Sequence, residues 1–335
     1  MITHVRIQNF RSFLDAEVDL QPFSLIVGAN GSGKSNFLKF FAAVSGAGVV
    51  PVDDNYGRRS YLLHGLQWQR HHNTEEKAEG FALHIGSEIF VAAPNTQQGM
   101  LATSGLLPFS ETGLPVFNIE PDNVSQVETT IPQAAVRSNG AGTAQVLDAL
   151  KNGDREDLFV LIEQNFRKYV PEIEKLSMKT VEDGRKQIQV REKGLKQPTA
   201  ATELSEGTRL ILCILTILHQ ENPPQVILLE DVDRGMHPRL FEYVAPLMRD
   251  IAERHGINIL ATTHNPYLVD CFQDNKEAVI IVEKKEGAST LTTLAKKLEG
   301  LDYETVDPED MPLGSLWYSG LIGGAPKTSR GAARL

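Results

Sequence analysis

The chain has 335 residues, of which 41% are hydrophobic, and a formal net charge of −10 at pH 7. This length and composition allow one large α/β domain or two ordinary ones, and a disordered chain is not expected. The negative charge argues against a surface built for broad DNA binding, which depends on Lys and Arg. The longest apolar runs are far shorter than the ~20 residues of a membrane span. We therefore expect a protein of the cytoplasm that does not cross a membrane.

Cysteines and basic residues add two expectations. Cys213 and Cys271 are too few for a disulfide framework or a metal cluster, so both are predicted to be reduced. Local basic groups are candidates for contact with nucleic acid, although scattered basic residues are more often solvated. These candidates are Lys39, Arg58, Arg59, Arg70, Arg185, Lys186, Arg191, Lys193 and Lys196.

The N-terminal region predicts three short strands, at residues 4–7, 16–20 and 24–27, from its alternation of apolar and polar residues. A glycine-rich loop follows directly, and a helix-like apolar pattern follows the loop at residues 36–44. The chain thus has a strand, a loop and a helix in immediate succession.

The loop has the pattern G-x-x-x-x-G-K-S from Gly28 to Ser35. Such a loop curls its backbone N–H groups around phosphates, its lysine reaches the terminal phosphates and its hydroxyl holds Mg²⁺. The helix that follows adds the positive end of its dipole. The alternative is a glycine-rich turn that contains Lys-Ser by chance, and the strand and helix on either side favour the phosphate loop. The predicted nucleotide contacts are Gly28, Asn30, Gly31, Ser32, Gly33, Lys34, Ser35 and Asn36.

The middle of the chain predicts a mixture of hairpins and helices. A hairpin at residues 80–92 turns at Gly86-Ser87 and suggests an antiparallel layer, whereas residues 93–143 are rich in loop-forming residues and give no functional prediction. Helical periods at residues 144–150 and 158–166 predict a small helical lobe. A second hairpin is predicted to connect residues 176–181 and 187–191.

The C-terminal part alternates an apolar helix with buried strands. The helix spans residues 208–218, and the strands span residues 225–230 and 256–262. This alternation predicts a parallel sheet covered on both faces. The sequence has no sustained heptad pattern, so a long coiled coil is not expected. The predicted organisation of residues 1–335 as one domain has three parts: an N-terminal lobe at 1–92, a loop-rich and helical lobe at 93–203 and a core at 204–335.

Two carboxylates, Glu230 and Asp231, directly follow the apolar strand that ends at Leu229. Ligands of α/β sheets bind beyond the carboxyl ends of the strands, so these acids are predicted to lie beside the phosphate loop. Glu230 suits the shell of Mg²⁺, and Asp231 suits the orientation or deprotonation of a water molecule. An ordinary acidic loop at a strand end is the alternative, and the phosphate loop upstream favours the functional interpretation.

The segment Leu204-Ser-Glu-Gly-Thr208 before an apolar helix resembles the signature motif of ABC-type ATPases. Further similar motifs follow the order of the RecF-like and SMC-like branch, which includes stand-alone bacterial "AAA family" ATPases that are OLD-like but lack a Toprim domain. The motifs are Ile7–Ser12 at the start, Glu230–Pro238 as Walker B and D-loop, Leu260–Pro266 as the switch-histidine strand and Gly314–Gly323 at the end. The resemblance covers nearly the whole chain and is weakest over residues 45–140.

This resemblance implies a P-loop NTPase fold of the ABC-ATPase type, with a mixed sheet flanked by helices. It implies that Ser205 and Gly207 approach the γ-phosphate of ATP held by a second subunit, so that a homodimer closes around two ATP molecules. His264 is the implied switch residue and Arg11 an implied nucleotide contact, with a structural histidine and a surface arginine as alternatives. Ser205 also suits a plain helix cap, and both roles are compatible.

Two positions are less regular than the family pattern. Either Gln67 or Gln69 is a candidate for the glutamine that ligates Mg²⁺, and the surrounding residues do not decide between them. The family usually has Asp-Glu or Glu-Glu where this chain has Glu230 and Asp231. Because aspartate is one methylene shorter, its carboxylate would stop about 1.5 Å short of the water, and misplacements near 1 Å cost ~10²-fold in rate. We therefore expect slow hydrolysis of ATP.

The preferred hypothesis is an ABC-type ATPase that dimerises on ATP, needs Mg²⁺ and controls a separate effector protein, with bacterial anti-phage defence as its setting. The first alternative is a RecF-like repair or clamp ATPase that binds DNA, and the second is a scaffold that binds ATP without hydrolysis. We expect no Toprim nuclease domain between His264 and Leu335 and no transport across a membrane. Fold analogy alone supports the cellular role.

Overall fold

A computed structural model describes residues 1–45, 48–53, 59–64, 80–85, 88–95, 100–103, 114–131, 134–301 and 311–325. The chain divides into two compact units. The first comprises Met1–Val116, Gln225–Leu228 and Ala252–Leu335, and the second comprises Phe117–Pro224 and Leu229–Ile251. The predicted division at residues 92 and 203 stays a prediction.

The described residues form the following strands and helices. The strands are β1 (Ile2–Phe10), β2 (Phe13–Asp19), β3 (Phe23–Val27), β4 (Gly48–Asp53), β5 (Arg59–His64), β6 (Gly80–Ile85), β7 (Glu88–Asn95), β8 (Met100–Thr103), β9 (Val116–Phe117), β10 (Ile173–Thr180), β11 (Lys186–Glu192), β12 (Thr199–Ala200), β13 (Val226–Leu229), β14 (Asn258–Thr262), β15 (Val279–Lys285) and β16 (Ala288–Thr293). The α-helices are α1 (Lys34–Ser45), α2 (Pro121–Val124), α3 (Thr143–Asn152), α4 (Glu156–Tyr169), α5 (Glu206–His219), α6 (Phe241–His255), α7 (Pro266–Asp270), α8 (Leu294–Glu299) and α9 (Leu313–Tyr318). Short 3-10 turns lie at Glu182–Gly184, Ala201–Glu203, Pro238–Leu240 and Lys276–Ala278.

The first unit is organised around a mixed sheet with the order β4-β5-β8-β7-β6-β1-β2-β16-β15-β3-β14-β13. Strand β3 lies between β15 and β14 and runs parallel to both. All five of its residues are buried, as its uninterrupted apolar run requires of a strand covered on both faces. This central strand leads directly into the glycine-rich loop, so the rigid middle of the sheet carries the loop.

The antiparallel part of the sheet extends further than the sequence predicts. The expected hairpin is present as β6 and β7, in register from Phe81 with Ala92 to Ile85 with Glu88. Strand β7 continues to Asn95 and pairs with β8, so part of the region predicted as loop is strand. Such short strands take their conformation from backbone pairing with neighbours, which a weak apolar pattern does not reveal.

Helix α1 packs on the sheet through aromatic side chains. Phe37, Phe40 and Phe41 are fully buried and contact one another edge to face, with ring centroids 5.2–5.4 Å apart within the Phe37–Phe41 and Phe40–Phe41 pairs. Phe40 also contacts Phe10 of β1 and Phe81 of β6. Spacings of three and four residues place these rings on one helix face. The cluster fixes α1, and therefore the loop that precedes it, to the sheet.

The second unit contains the predicted helical lobe and a three-stranded sheet of order β10-β11-β12. Strands β10 and β11 form the predicted hairpin, and its turn places Asp183 and Gly184 at φ angles of 62° and 72°. Helix α5 is buried at all but two of its positions, the exposed Glu206 and the half-buried Thr208. Within the described part of the chain, no helix has both the length and the apolar character needed to cross a bilayer.

Candidate nucleotide-binding site

The phosphate loop joins the end of β3 to the start of α1, as the sequence predicts. Gly31 and Gly33 have φ angles of 74° and 120°, a region that favours glycine because it lacks a Cβ. A Cβ on Gly28 would collide with the carbonyl oxygen of Val282 on β15. The glycines are therefore required by the backbone curl at two positions and by a close approach at the third.

Lys34 is buried within this curl. Its Nζ atom donates to the carbonyl oxygens of Gly28 and Ala29, at 2.8 and 3.1 Å. Only 6% of the residue is exposed. The ammonium group thus lies against the loop backbone, where it would face the phosphates of a nucleotide held by the loop.

Two buried polar atoms near the loop have hydrogen-bonding capacity that a phosphate ligand could satisfy. The Ser32 hydroxyl and the Arg11 Nε are buried, and neither has a hydrogen-bond partner among the described residues. Leaving a buried donor unpaired costs about 1–3 kcal/mol. Phosphate oxygens are strong acceptors for such donors. These residues therefore fit a triphosphate ligand.

Arg11 occupies the turn between β1 and β2 and reaches the first turn of α1. Its Nη1 donates to Asn36 Oδ1 at 3.5 Å, and Asn36 Nδ2 donates to Ser12 Oγ at 2.9 Å. The structure thus brings Arg11 and Asn36 next to Ser35, while Asn30 is exposed at the tip of the loop. The contact of Arg11 with nucleotide stays a prediction.

His264 follows β14, the parallel neighbour of β3. Thr262 pairs with Ile26, and the backbone N–H of Thr263 donates to the Ile26 carbonyl at 3.2 Å. His264 and Gly28 therefore follow adjacent strands at their carboxyl ends, where ligands of such sheets bind. The imidazole is exposed, and Asn265 caps α7 by accepting from the Tyr267 N–H at 3.0 Å.

The loop after His264 is supported by the C-terminal helix α9. A Cβ on Gly314 would collide with the Pro266 carbonyl, and the Gly314 N–H donates to Asp270 Oδ1 at 2.7 Å. Burial raises the pKa of the Asp270 carboxyl, and the bond from Gly314 opposes that shift in part. This contact of α9 with α7 is not visible in the sequence, because no motif marks Asp270.

The signature segment lies in the second unit and opens α5. Ser205 is the N-cap, and its hydroxyl accepts from the Thr208 N–H at 3.2 Å and pairs with the Thr208 hydroxyl at 2.8 Å. Its side chain is exposed. A Cβ on Gly207 would lie 2.7 Å from the Gly235 carbonyl oxygen, so the helix start packs directly on the segment that follows Asp231. The cap and the predicted phosphate contact are compatible, because a capped helix N-terminus attracts anions.

Glu230 and Asp231 are half-buried in the second unit. The Glu230 backbone N–H donates to the Phe117 carbonyl at 2.7 Å. Asp231 has a φ of 49°, a left-handed conformation that Asp adopts more readily than longer side chains. The backbone thus gives a physical reason for aspartate where the family usually has glutamate.

One residue of the signature helix that the sequence analysis did not single out anchors a neighbouring segment. Arg209 is buried, and its Nη1 donates to Asp122 Oδ1 at 2.7 Å and to Ser125 Oγ at 3.3 Å. An arginine directly before the apolar run that begins at Leu210 is the sequence signal that could have identified it.

Four of the remaining candidates have no described geometry. Gln67, Gln69, Arg58 and Arg70 lie outside the described residues. Among the residues that the structure describes, no group of three or more His, Cys, Asp or Glu forms a metal cluster. Mg²⁺ shared with phosphates needs only one or two protein ligands, so Ser35 and Glu230 stay the predicted pair.

Both cysteines are free thiols, and burial raises the pKa of Cys213 to about 12.

The two units carry different parts of the predicted site. The first contains Gly28–Ser35, Arg11 and His264, and the second contains Ser205, Gly207, Glu230 and Asp231. Each part has the local geometry described above, and their assembly around one nucleotide stays a prediction.

Two family models match this sequence. One, described as "AAA ATPase domain", matches residues 1–56, and the other, described as "AAA domain, putative AbiEii toxin, Type IV TA system", matches residues 143–270. The first contains the phosphate loop and the second contains the signature, the carboxylates and His264. The curated proteins give no match.

Several solved structures are similar at low identity. The SMC head domain from Thermotoga maritima is 15% identical, covers 87% of this chain and 98% of its own, and has a TM-score of 0.49. An Smc head bound to the C-winged helix domain of ScpA is 15% identical, covers 89% and 99%, and has a TM-score of 0.49. The cbiO1 protein from Clostridium perfringens, part of the ABC transporter complex cbiONQ, is 14% identical, covers 95% and 99%, and has a TM-score of 0.46.

These similarities transfer no residue role and no partner to this chain. The predicted fold class is confirmed: a mixed sheet flanked by helices, with an antiparallel layer and a small helical lobe. With its phosphate loop between β3 and α1 and its two AAA matches in chain order, the chain is similar to AAA-type ATPases over residues 1–56 and 143–270.

Proposed function

We propose that this protein binds ATP with Mg²⁺, forms a homodimer around two ATP molecules and hydrolyses them slowly to control a separate effector protein. The observation that carries the proposal is the phosphate loop, with its buried Lys34 and the unpaired hydroxyl of Ser32. A buried ammonium within a glycine-rich backbone curl favours a ligand with several negative oxygens.

Each residue has a defined part in this reaction. Ser35 and Glu230 would hold Mg²⁺, which neutralises charge on the phosphates when bound. Asp231 orients the attacking water and accepts its proton while the water oxygen bonds to the γ-phosphorus and ADP leaves. Lys34 and Arg11 stabilise the negative charge on the phosphate oxygens. His264 donates to the γ-phosphate or orients the same water.

The exposed signature serine supports dimerisation. Ser205 caps α5 with a side chain open to solvent, and its hydroxyl bonds to the nearby Thr208. A helix N-terminus in this position can accept a phosphate that another molecule brings. The family description that names an AbiEii toxin and a type IV TA system supports a setting in bacterial defence.

The test is ATP turnover and ATP-dependent dimerisation, measured by phosphate release and by light scattering after gel filtration. We expect slow turnover and a dimer with ATP that is absent with ADP. Lys34→Ala abolishes nucleotide binding, and Asp231→Asn abolishes turnover but retains the dimer. Lys39→Ala is the matched control, because Lys39 is an exposed lysine of the same helix.

Two results would contradict parts of this proposal. A protein that dimerises on ATP without turnover would be the non-hydrolysing scaffold. A protein that turns over ATP as a monomer would retain the ATPase assignment and exclude the composite site.

One surface favours DNA binding as the second candidate function. Cross-strand pairing places exposed Lys175 of β10 opposite exposed Arg191 of β11, and Lys179 lies on the same face of the hairpin. Three positively charged side chains on one face of a strand pair are suited to contact the phosphate backbone of DNA. Steeply salt-dependent binding of duplex DNA by the ATP-bound form, lost when all three become alanine, would favour the clamp.

A further inference from the structure

The hairpin of β15 and β16 contacts the phosphate loop at both of its ends. The Val282 carbonyl of β15 closes the space beside Gly28, and Ser289 of β16 lies beside Ser32 and Gly33. Within the hairpin, Val282 pairs with Leu291 and Ser289 pairs with Lys284. The loop therefore rests on one rigid strand pair that lies about 250 residues further along the chain.

Ser289 makes the more specific of these contacts. It is only 1% exposed, and its hydroxyl donates to the Ser32 carbonyl at 2.5 Å. Its backbone N–H donates to the Ser12 carbonyl at 2.6 Å. A Cβ on Gly33 would lie 2.5 Å from Ser289 Oγ and 2.9 Å from Ser12 Oγ, so the hydroxyls pack directly against the loop.

This hydrogen bond fixes the orientation of one peptide group. In a trans peptide the C=O and the following N–H point in opposite directions. Because the Ser32 carbonyl points to Ser289, the Gly33 N–H points away from β16. Glycine allows many backbone conformations, so the Ser32–Gly33 peptide needs an external contact to hold one orientation.

We propose that Ser289 is a positioning residue of the phosphate loop, whose hydroxyl holds the Ser32–Gly33 peptide so that the Gly33 N–H donates to a bound phosphate. The proposal rests on the proposed function, because it takes the loop as the site of ATP. It adds a residue from the far end of the chain that no motif includes.

The test compares Ser289→Ala with Ser289→Thr and a neighbouring control. Ser289→Ala removes the donor, and the dissociation constant for ADP rises about threefold to tenfold, the range of one hydrogen bond. Ser289→Thr keeps the hydroxyl and restores tight binding. Thr290→Val is the control, because the Thr290 hydroxyl bonds within the hairpin to the Glu283 carbonyl.

Titration calorimetry gives the dissociation constants, measured well below the unfolding midpoint of each variant. In steady-state turnover, the KM for ATP of Ser289→Ala rises while kcat changes by less than about twofold, as expected when ground-state binding is lost. If Ser289→Ala does not fold, Ser289→Cys carries the test, because a thiol has similar size and donates weakly. Its ADP affinity is then expected to be lower than that of the Thr variant, because a thiol is a weaker donor than a hydroxyl.

The outcomes separate this inference from the proposed function. A folded Ser289→Ala, or the Cys variant in its place, that binds ADP as tightly as the unaltered protein overturns the inference, provided that Lys34→Ala loses binding. A fall in unfolding temperature with unchanged ADP affinity also overturns it, because that marks a purely structural role. If the unaltered protein binds no ADP, or if Lys34→Ala binds it equally well, the proposed function fails and this inference fails with it.

Discussion

The phosphate loop and the signature segment are both glycine-containing loops that open a helix, but they are held in different ways. Contacts from distant parts of the chain hold the phosphate loop, namely those of Val282 with Gly28 and of Ser289 with Ser32. Ser205 of the signature segment instead bonds to Thr208, three residues away, and stays exposed. The first loop is fixed by contacts with distant strands, whereas the second presents a helix end to the solvent.

This difference has a physical consequence for binding. A loop whose peptides are already oriented loses little entropy when it takes up phosphates, so it can bind tightly on its own. An exposed helix N-terminus contributes only about 0.3–1 kcal/mol to anion binding. We therefore expect the phosphate loop to set nucleotide affinity, and the signature segment to act after nucleotide is already bound.

The largest expected effect on the separation of the two loops comes from Gly207→Ala. Its Cβ would lie 2.7 Å from the Gly235 carbonyl oxygen and 3.2 Å from Met236 Cα, so the start of α5 must shift. A displacement near 1 Å reduces turnover by ~10²-fold. ADP affinity stays unchanged, because the phosphate loop is intact. Calorimetry and phosphate release measure the two effects separately.

A matched control keeps this result specific to the signature segment. Gly300→Ala adds the same methyl group where the nearest atom, the Lys297 carbonyl oxygen, lies 3.7 Å away, and we expect it to turn over ATP normally. If Gly207→Ala weakened ADP binding as strongly as it slowed turnover, the separation of the two loops would be wrong.

An intermediate effect is expected for Asp231→Glu. The longer side chain brings its carboxylate about 1.5 Å closer to the water and therefore increases turnover. Glutamate tolerates the φ of 49° less well than aspartate, so the unfolding temperature falls. Phosphate release and thermal unfolding are measured on the same preparation.

Asp231→Asn is the comparison variant for this position. Asparagine also tolerates a left-handed backbone, so it should unfold at an unchanged temperature and lose turnover. Complete loss of activity in Asp231→Glu, with the fold intact, would contradict the interpretation that the aspartate is too short.

The smallest expected effect is on stability, from Asp270→Asn. Burial raises the pKa of Asp270, so its contribution to stability is present at low pH and is lost as the pH rises through the folded-state pKa. Asparagine keeps an oxygen that accepts from the Gly314 N–H but carries no charge. The unfolding temperature of the variant should exceed that of the unaltered protein at about pH 7 and match it at about pH 3.

Thermal unfolding across this pH range measures the effect, with Glu299→Gln as the exposed control. ADP affinity should stay unchanged, because Asp270 supports the loop after His264 through its bond with Gly314 and not the phosphate loop. An equal difference in unfolding temperature at all pH values would exclude titration of Asp270 as the cause.

The phosphate loop could be predicted because its requirements are local. Gly31 and Gly33 have positive φ angles, Lys34 lies within the curl, and all three belong to one short motif. The same holds for the Ser205 cap, whose partner Thr208 is three residues away. Such features depend on neighbouring residues and therefore leave a pattern in the sequence.

The supports of the loop could not be predicted, because they depend on pairing between distant strands. Ser289 is one of four Ser and Thr residues in β16, and Ser12 lies in an ordinary turn. The positive φ of Asp231 and the contact of Gly314 with Pro266 also arise from tertiary packing. Sequence patterns report burial and local conformation, and they do not report which distant residues meet.

The bond from Ser289 to Ser32 joins residues 257 positions apart, which has a consequence for synthesis in the cell. At typical translation rates of about 5–20 residues per second, the ribosome makes the phosphate loop some 10–50 s before its support. During that interval the nascent chain has the complete G-x-x-x-x-G-K-S motif but neither Val282 nor Ser289. We therefore expect tight nucleotide binding to begin only once β16 has left the ribosome, so that unfinished chains do not sequester ATP.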